Sequence, residues 1–323
     1  MSSASSPSSP PLSRPSRLVI ATRESALALV QARHIRARLL ELYPAMTIEL
    51  LGMTTTGDRE LGGPLASIGG KGLFIKELEE ALADGRADLA VHSMKDMPVQ
   101  LLPGFTLAAI TAREDPRDAF VSGRWRTLAE LPAGSHVGTS SLRRSSQLLA
   151  KRPDLCIEAL RGNVQTRLRK LDEGAYDAII LAVAGLKRLG LADRISSALE
   201  PEVSLPAAGQ GALGLECRSD RTDVAALLAP LGDASATACV RAERALAHGL
   251  GGNCQMPVGA FAVATGSALR LRAFVASPDG TQYLAGERTG AADAPEALGQ
   301  ALAVELAAKG ATAILSAIGA KTL

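Results

Sequence analysis

The sequence predicts an α/β protein of two or three domains, and three observations carry that prediction. The chain has 323 residues, which at roughly 150 residues per domain suggests about two domains. Its composition is 47% apolar and 21% charged, which is typical of a globular protein and excludes a fibrous or wholly disordered chain. From Leu18 onward, short apolar strands alternate with amphipathic helices, a pattern that indicates mainly parallel sheets covered on both faces.

The first 17 residues are predicted to be a disordered tail. They contain eight Ser, four Pro and two Arg, with no acidic residue. The tract lacks the apolar core of a secretory signal. Its Ser and Arg bias weakly resembles an organellar transit peptide, but a disordered tail on a cytosolic protein is the preferred interpretation.

The first half of the chain reads as strand, helix, strand, helix and two further strands. The first helix carries an apolar stripe at the helical spacing of three and four residues, formed by Ala28, Ala32, Ile35, Leu39 and Leu42. A Gly-rich segment, residues 61–72, precedes the second helix. The predicted strands are Leu18–Ala21, Thr47–Met53, Asp88–Val91 and Phe105–Ile110.

The alternation resumes after Pro116 and then changes character. Strands are predicted from Val137, at Ile157–Leu160 and at Ala178–Val183, with helices from Ser141 and at Asn163–Leu171. A Pro- and Gly-rich break follows at residues 206–214. Beyond it, a helix at 236–248, strands at 258–264, 269–276 and 282–287, and a helix at 295–309 form a smaller α+β unit.

Polar clusters follow several of the predicted strands, at residues 22–25, 92–96, 139–144 and 161–163. In open α/β sheets, ligands bind beyond the carboxyl ends of the strands. The sequence therefore predicts that these clusters lie where such sheets bind their ligands.

The net charge of +2 hides a local imbalance. Thr139–Lys170 holds six Arg and two Lys against two acidic residues, which gives this window a charge of +6. Coding bias explains the overall Arg excess about as well as a functional role does, but it explains the clustering less well. Arg presents a planar fork of donors that matches carboxylate or phosphate, so the window indicates a small polyanionic ligand. Aromatic residues make up 3% of the chain and none lies in this window, which disfavours a nucleic-acid surface.

Two strand ends carry candidate chemistry. Lys95 and Asp96 follow the third predicted strand; they are either a surface ion pair or a carboxylate that stabilises positive charge on a substrate beside a lysine that binds an anionic group. Thr139 to Arg144 joins a strand to a helix, where hydroxyls, helix N–H groups and arginines make an anion site. Because adjacent arginines on a helix point in different directions, Arg143 and Arg144 are expected to serve two anionic groups, or one of them the fold.

Neither a metal site nor a P-loop is expected. The four cysteines are far apart, and with only four histidines the ligand spacing for zinc is poor. Residues 69–72 lack the flanking Gly and Ser/Thr of a P-loop, so a flexible hinge or lid is favoured. Cys254 lies in a Gly-rich loop as a candidate attachment point, whereas Cys156, Cys217 and Cys239 read as small buried residues. No apolar run reaches 18 residues, so no membrane span is expected.

These segments together resemble the porphobilinogen deaminase family, also called the hydroxymethylbilane synthases. The resemblance covers nearly everything after residue 17. The matching stretches are IATRESALAL (20–29), GGKGLFIKELE (69–79), DLAVHSMKDMP (88–98), REDPRDAF (113–120), VGTSSLRR (137–144), LRGNVQTRL (160–168), DAIILAVAGLKRLG (177–190), LPAAGQGALGLECR (205–218) and GGNCQMPVG (251–259).

The resemblance implies a three-domain α/β protein. Two lobes are expected to be built like those of periplasmic binding proteins, with mainly parallel sheets, and to be followed by a smaller α+β C-terminal domain. The implied limits are 18–111 with 212–229 for domain 1, 112–211 for domain 2, and 230–323 for domain 3, which carries the cofactor cysteine.

The resemblance also implies the activity, a transferase reaction. Four porphobilinogen molecules are joined head to tail with loss of ammonia on a dipyrromethane cofactor bound to Cys254 through a thioether, and water then releases linear hydroxymethylbilane. Asp96 is expected to be the catalytic carboxylate, because loss of ammonia leaves a delocalised cation on the pyrrole. The expected cofactor contacts are Lys95, Asp96, Ser141, Arg143 and Arg144, and the expected substrate contacts are Arg23, Ser25, Thr139, Arg161, Arg167 and Arg188.

One position departs from the family pattern. Many members carry Lys where this chain has Ser67, so one carboxylate contact from the Gly-rich segment is expected to be missing. A monomer in the cytoplasm, with a small-molecule substrate and neither nucleic acid nor membrane as partner, is the family expectation. The alternative function is that of a non-catalytic two-lobed anion-binding protein, which the Gly-bracketed Cys254 disfavours.

Overall fold

The computed structural model describes residues 15–59, 75–251 and 256–319. Residues 1–14 of the predicted tail, the Gly-rich segment 61–72 with Ser67, and Cys254 lie outside the described residues. The strands are β1 Arg17–Arg23, β2 Thr47–Met53, β3 Leu89–Ser93, β4 Phe105–Ile110, β5 Asp118–Val121, β6 His136–Gly138, β7 Cys156–Glu158, β8 Ala178–Ala182, β9 Ser197–Leu199, β10 Leu213–Arg218, β11 Val258–Thr265, β12 Ala268–Ala276 and β13 Tyr283–Ala291. The α-helices are α1 Ala26–Leu42, α2 Thr56–Arg59, α3 Lys76–Ala83, α4 Leu142–Lys151, α5 Val164–Asp172, α6 Val183–Arg188, α7 Thr222–Leu228, α8 Ala234–Gly249, α9 Pro295–Ala308 and α10 Ala311–Gly319.

The first lobe is built on a five-stranded sheet in the order β2-β1-β3-β10-β4. β1 pairs in parallel with β2 and β3, whereas β10 runs antiparallel to both of its neighbours. Buried side chains on one face of the sheet, among them Leu18, Ile20 and Leu215, pack with Ile35 and Leu39 of α1. Val19 and Ala21 on the opposite face of β1 are also buried, so the strand is a continuous apolar run, as a sheet covered by helices on both faces requires.

The second lobe repeats this arrangement in the order β7-β6-β8-β5-β9. Here β6 pairs in parallel with β7 and β8, and β5 is the reversed strand. Each sheet thus has four strands in one direction and one opposed, which agrees with the prediction of mainly parallel sheets.

The reversed strands are those by which the chain crosses between the lobes. The chain leaves β4 of the first lobe to enter β5 of the second, and it returns from the second lobe into β10. The two crossing segments lie side by side, because Glu114 N donates to Gly211 O at 3.1 Å. Gly211 has φ +96°, and a Cβ there would collide with Glu114 O, so only glycine fits this close approach.

A smaller unit completes the described chain. β11, β12 and β13 form an antiparallel three-stranded sheet whose apolar face packs on α8, α9 and α10. The predicted fold class, two α/β lobes and a smaller α+β domain, is confirmed by these three sheets.

Some local expectations were wrong. β5 and β10 were not predicted as strands, and residues 212–214, assigned to the Pro- and Gly-rich break, are buried, the last two in β10. Leu42 ends the predicted apolar stripe but is exposed, while Gln31 is buried on that face. Cys156 is exposed on the edge strand β7, unlike Cys217 and Cys239, because an edge strand is covered on fewer sides.

Within the described part of the chain, no single helix combines the length and the apolar composition needed to cross a bilayer, although two sharply bent helix pairs, 222–249 and 295–318, meet both criteria together.

Candidate active site

The candidate site begins where β3 of the first lobe ends. After Ser93 the chain forms one 3-10 turn, Met94–Asp96, in which Met94 is buried and Asp96 is exposed. The return crossing supports this turn from below: Met94 N donates to Ala212 O, and a Cβ on Gly209 would lie 2.8 Å from Met94 Cβ. Asp96 is therefore a solvent-facing carboxylate on a backbone that is packed firmly on its inner side.

Lys95 extends from the same turn toward the second lobe. Its Nζ donates to Gln210 Oε1 at 3.4 Å, and the charges that act on it are those of Asp96, Arg144, Asp118 and Arg143. Burial lowers the pKa of Lys95 to about 8, since removing an ammonium from water disfavours its charged form. The lysine thus holds a positive charge that a carboxylate ligand would stabilise.

Arg143 and Arg144 lie in the first turn of α4, and both are buried. The expectation that the two would point apart was wrong, because both bind one carboxylate, that of Asp118. Arg143 donates to Asp118 Oδ2 at 2.8 Å and Oδ1 at 3.0 Å, and Arg144 donates to Oδ1 from Nη2 at 2.7 Å. Two long side chains that start on different faces of the helix converge because β5 runs directly beneath its first turn.

Asp118 is the centre of this cluster and is fully buried. Ser204 Oγ donates to its Oδ2 at 2.7 Å, and Gln210 Nε2 donates to its Oδ1 at 3.0 Å. Burial alone would raise the pKa of Asp118, but the two guanidinium groups outweigh it and hold the pKa well below its usual range. The carboxylate is therefore ionised, and it fixes both arginines in place.

Each of these arginines retains donors for a ligand. Arg143 also donates to Leu205 O at 2.6 Å and Arg144 to Ile180 O at 2.9 Å, so each uses three N–H groups within the described structure. A guanidinium has five N–H groups, which leaves about two on each arginine.

The start of α4 adds neutral donors beside these cations. Ser141 is the N-cap residue, but its side chain accepts no capping hydrogen bond. Thr139 is buried, and its Oγ1 accepts a hydrogen bond from Ser141 N at 3.2 Å. Within the described part of the chain, the hydroxyl of Ser141 and the first N–H groups of α4 are thus available to bind an anion. The helix dipole favours negative charge there.

Arg161 and Arg167 extend the positive surface along the second lobe. Arg167 Nε donates to Gly162 O at 2.7 Å, which holds the guanidinium against the loop before α5. Burial, together with the charge of Arg144, lowers the pKa of Arg167 to about 10, and Asp96 and Arg161 also act on it. Arg167 thus joins the group around Lys95 rather than forming a separate site.

Arg188, Arg23 and Ser25 lie farther from this group. Arg188 ends α6 and donates from Nη2 to Gly211 O at 2.6 Å, so it sits at the crossing between the lobes. Arg23 ends β1, on the same sheet edge as the end of β3. Ser25 is the N-cap residue of α1, and its Oγ accepts a hydrogen bond from Ala28 N at 3.4 Å; the structure gives this predicted substrate residue a helix-capping role.

The lobes therefore bring six of the predicted residues into one electrostatic group, namely Lys95, Asp96, Arg143, Arg144, Arg161 and Arg167. Five of these residues are cations. With Asp118 included, the group has two carboxylates and a net charge of +3. Arg143 and Arg144 at the centre of this group are buried, and an excess of positive charge there is costly without a counter-ion. The chemistry of this donor set therefore fits a ligand with several carboxylates.

Sequence reasoning missed two residues that build this site. Asp118 lies in REDPRDAF and Gln210 in LPAAGQGALG, and both are buried. Gln210 joins the lobes at this point, since its Nε2 also donates to Pro116 O at 2.6 Å and its Oε1 accepts from Lys95. Asp118 is one of three acidic residues in REDPRDAF, so the local sequence does not single it out, whereas Gln210 is a lone amide in the Gly-rich return crossing.

The described residues contain no group of three or more His, Cys, Asp or Glu side chains that could hold a metal ion.

Two family models match most of the chain. Residues 18–226 match the family model "Porphobilinogen deaminase, dipyromethane cofactor binding domain", and residues 237–308 match "Porphobilinogen deaminase, C-terminal domain". Among solved structures, the methionine-binding protein MetQ is similar at a TM-score of 0.44 and 16% identity, over 67% of this chain and 89% of that one.

Curated relatives cover nearly the whole chain. Proteins named porphobilinogen deaminase from Methylobacillus flagellatus, Chromobacterium violaceum and Thiobacillus denitrificans are each 61% identical. The matches span 94–95% of this chain and 98–99% of those proteins. By its two family-model matches and by these relatives, the chain belongs to the porphobilinogen deaminase family.

Proposed function

We propose that this chain is a transferase that joins four porphobilinogen molecules head to tail, with loss of one ammonia from each, and releases linear hydroxymethylbilane. The observation that carries the proposal is the meeting of one exposed carboxylate, Asp96, with a cluster of cations contributed by both lobes. A simple anion-binding protein needs the cations and a counter-ion such as Asp118, but gains nothing from an exposed carboxylate that faces the ligand. The acid therefore favours catalysis over the alternative of a non-catalytic anion-binding protein.

The residues present fit a dipyrromethane cofactor. Two pyrrole rings that each carry an acetate and a propionate bring four carboxylates. Lys95, Arg143, Arg144 and the hydroxyl of Ser141 are the groups that would bind them, with the helix N–H groups of α4. When bound, the cofactor supplies the free pyrrole carbon that accepts the first substrate unit.

Asp96 is assigned the chemical role. Loss of ammonia from porphobilinogen leaves a positive charge that is delocalised through the pyrrole nitrogen. A fixed carboxylate next to that nitrogen stabilises the developing charge and accepts or returns the N–H proton. Among the described residues, none donates a hydrogen bond to the Asp96 side chain, so its oxygens are free for this task.

The remaining arginines are assigned to substrate carboxylates. Arg161 and Arg167 lie beside the proposed cofactor residues and extend their cationic surface. Thr139 contacts Ser141 at the start of α4. Arg188 at the crossing, and Arg23 and Ser25 at the end of β1, are assigned to the carboxylates of the incoming or growing chain. Holding reactants in a fixed orientation is a large part of the rate that an enzyme can supply.

Cys254 is assigned as the covalent anchor. It lies outside the described residues, between Gly251 and Met256, just before β11. A thioether at this position would keep the growing chain on the protein until the last unit has been added. We further propose that one carboxylate contact is missing because Ser67 stands where many family members carry Lys. Ser67 also lies outside the described residues.

We also propose that the chain acts as a monomer in the cytoplasm, without nucleic-acid or membrane partners. Within its +6 window, Arg143 and Arg144 are buried and bind Asp118, so their charge does not form an outward basic surface. The expected result of size-exclusion chromatography with light scattering is the mass of one chain, and a stable dimer would contradict the proposal.

Intact mass tests the anchor and the activity together. The freshly purified protein should be heavier than its sequence by two linked pyrrole units, and it should release ammonia and a linear tetrapyrrole from porphobilinogen. Cys254→Ser should lack both the added mass and the turnover. The matched control is Cys156→Ser, which removes an exposed thiol outside the site and should keep both. An active protein of unmodified mass would refute the cofactor assignment.

A further inference from the structure

A second buried cluster of titratable groups lies in the first lobe, behind the turn that carries Asp96. Glu79 of α3, His92 of β3 and Glu216 of β10 lie on the face of the sheet that α3 covers. Their exposures are 6%, 7% and 0%. The rest of that face is apolar, with Leu78, Ala81 and Leu82 of α3 packed on Val19, Ala21 and Ala90. Three polar side chains in such a layer need a physical account.

The sheet register brings His92 and Glu216 together. Glu216 pairs with Ala90 and Gly214 with His92, so His92 and Glu216 are diagonal neighbours on one face. His92 Nε2 and Glu216 Oε2 are 2.8 Å apart. Glu216 thus has one oxygen satisfied by the histidine, and its Oε1 is buried with no hydrogen-bond partner among the described residues.

Glu79, like Glu216, has one carboxyl oxygen without a hydrogen-bond partner in the described part of the chain. Its Oε1 is also buried without a partner among the described residues. α3 packs against β10, and both carboxyl groups are buried on the face between them. Two buried carboxylates with one histidine would leave net negative charge in an apolar layer, which is expensive. A single proton on Glu79 reduces that negative charge by one and converts an acceptor into a donor for the second unsatisfied oxygen.

We propose that Glu79 and Glu216 share one proton across their two unpartnered oxygens, and that with His92 they position the strand end that carries Lys95 and Asp96. The acid–acid bond ties α3 to β10, and the bond between His92 and Glu216 ties β10 to β3. His92 lies four residues before Asp96 in the chain. The positioning role toward Asp96 rests on the proposed function, whereas the shared proton does not.

The surroundings of Glu79 point to the same protonation. Burial, with the charge of Glu216 as a second cause, raises the pKa of Glu79 to about 7. β1 contributes Val19 and Ala21 to this face, and β3 and β10 contribute His92 and Glu216. On α3 itself, Glu77 accepts hydrogen bonds from Thr56, and Lys76 and Glu80 pair with each other at the surface. Among the described carboxyl groups with a shifted pKa, Glu79 is the one whose pKa is raised; the others are lowered.

Infrared spectroscopy tests the shared proton without any assay of activity. Protonated carboxylic acids have a C=O stretch that carboxylates lack, and a group with a pKa of about 7 retains its proton at about pH 6. The wild-type protein should show this band at that pH and lose it as the pH rises through 7. Glu79→Gln should lack the band, whereas Glu80→Gln, its exposed neighbour, should keep it. Absence of the band in the wild type, or its survival in Glu79→Gln, would overturn the proposal.

A second variant keeps the test decisive where Glu79→Gln fails to fold. Glu216→Gln removes the neighbouring charge and leaves Glu79 in place. The band should then titrate at a lower pH than in the wild type, since one of the two causes of the raised pKa is gone. A titration at unchanged pH would overturn the pairing of these two residues.

Turnover kinetics at about pH 6 test the positioning role. Glu79→Gln retains an N–H donor for Glu216 and should keep the wild-type kcat, whereas Glu79→Ala leaves Glu216 unsatisfied and should lower kcat. A displaced catalytic group costs roughly tenfold to a hundredfold, and KM should change less than about twofold because no substrate contact is removed. Equal kcat in the two variants would refute positioning. An inactive wild type that retains the infrared band would instead refute the proposed function.

Discussion

The acid of the first lobe and the arginines of the second lobe have opposite environments, although they belong to one site. Asp96 is exposed at the tip of a one-turn helix, and no described residue donates a hydrogen bond to its side chain. Arg143 and Arg144 are buried and share Asp118 as a counter-ion. The difference teaches that the cations are fixed before any ligand arrives, while the acid is left free to react.

This contrast follows from what each group must do. A carboxylate that manages a proton and a transient cation gains from unoccupied oxygens. An arginine that binds a carboxylate gains from a fixed orientation, because the entropy of a long side chain is lost before binding. Under the proposed function the lobes divide the work: the buried arginines of the second lobe bind carboxylates, and Asp96 of the first lobe is the reactive group.

Removing the free acid should have the largest effect. Asp96→Asn retains the size of the side chain and loses the charge, so turnover should fall by about 10²- to 10⁴-fold. The free energy of unfolding should change by less than about 0.5 kcal/mol, since the side chain is exposed and makes no hydrogen bond with a described residue. Rate assays and urea denaturation of the same preparations measure both quantities.

Asp115→Asn is the control for that substitution. Asp115 is an acid of the first crossing that pairs with Arg117 at 2.8 Å, outside the electrostatic group of Asp96. It should retain most of the turnover. Near-normal turnover in Asp96→Asn would remove this residue from the mechanism. Asp96 and the two arginines would then differ only in burial.

Removing the counter-ion Asp118 should mainly lower the stability of the fold, whereas removing Asp96 should mainly lower turnover. Asp118→Asn leaves Arg143 and Arg144 buried with only neutral acceptors, and breaking a buried pair on one side costs about 3–5 kcal/mol. Because the pKa of Asp118 lies well below its usual range, its contribution is present above the unfolded pKa of about 3.9 and is lost as the pH falls toward the folded value. The wild type should therefore lose stability in acid more steeply than the variant.

Denaturant unfolding at neutral and acidic pH measures this effect. The control is Asp154→Asn, whose carboxylate pairs with Arg152 near the surface and should cost less than about 1 kcal/mol. Similar losses in the two variants would mean that Asp118 is an ordinary ion-pair partner and that the second lobe is not fixed in the manner inferred here.

The residues that face the ligand were predictable from the sequence, but the buried residue that holds them in place, Asp118, was not. Lys95, Asp96, Arg143, Arg144, Arg161 and Arg167 follow predicted strands, and the carboxyl ends of such strands share one edge. Asp118 was missed because its segment looks like local ion pairing, and Asp115 with Arg117 does pair in that way. Asp118 instead lies on β5 and reaches Arg143, 25 residues along the chain.

The missed strands have the same cause. β5 has four residues, and β10 follows a crossing rich in glycine. β5 is too short to show a pattern, whereas β10 does alternate apolar and other residues but was hidden by its assignment to the Gly-rich break. Both are strands because antiparallel neighbours pair with them on each side, which is information that only the tertiary structure contains.

The smallest expected effect concerns Lys95, which belongs to the turn of Asp96 but is less exposed than that residue and lies among the charges of Arg143 and Arg144. In cofactor-free protein, made as Cys254→Ser, its pKa is about 8, below the unfolded value of about 10.4. Between these values the unfolded chain binds more protons than the folded one, so stability should rise with pH from about 8 to 10, by roughly 1–3 kcal/mol. Adding Lys95→Met should flatten this rise, whereas Lys309→Met, a surface lysine paired with Glu305, should not. In cofactor-bound protein a ligand carboxylate should raise the pKa of Lys95 and move the rise to higher pH. An unchanged slope in Lys95→Met would show that the lysine is solvated like Asp96 and is not part of the fixed positive surface.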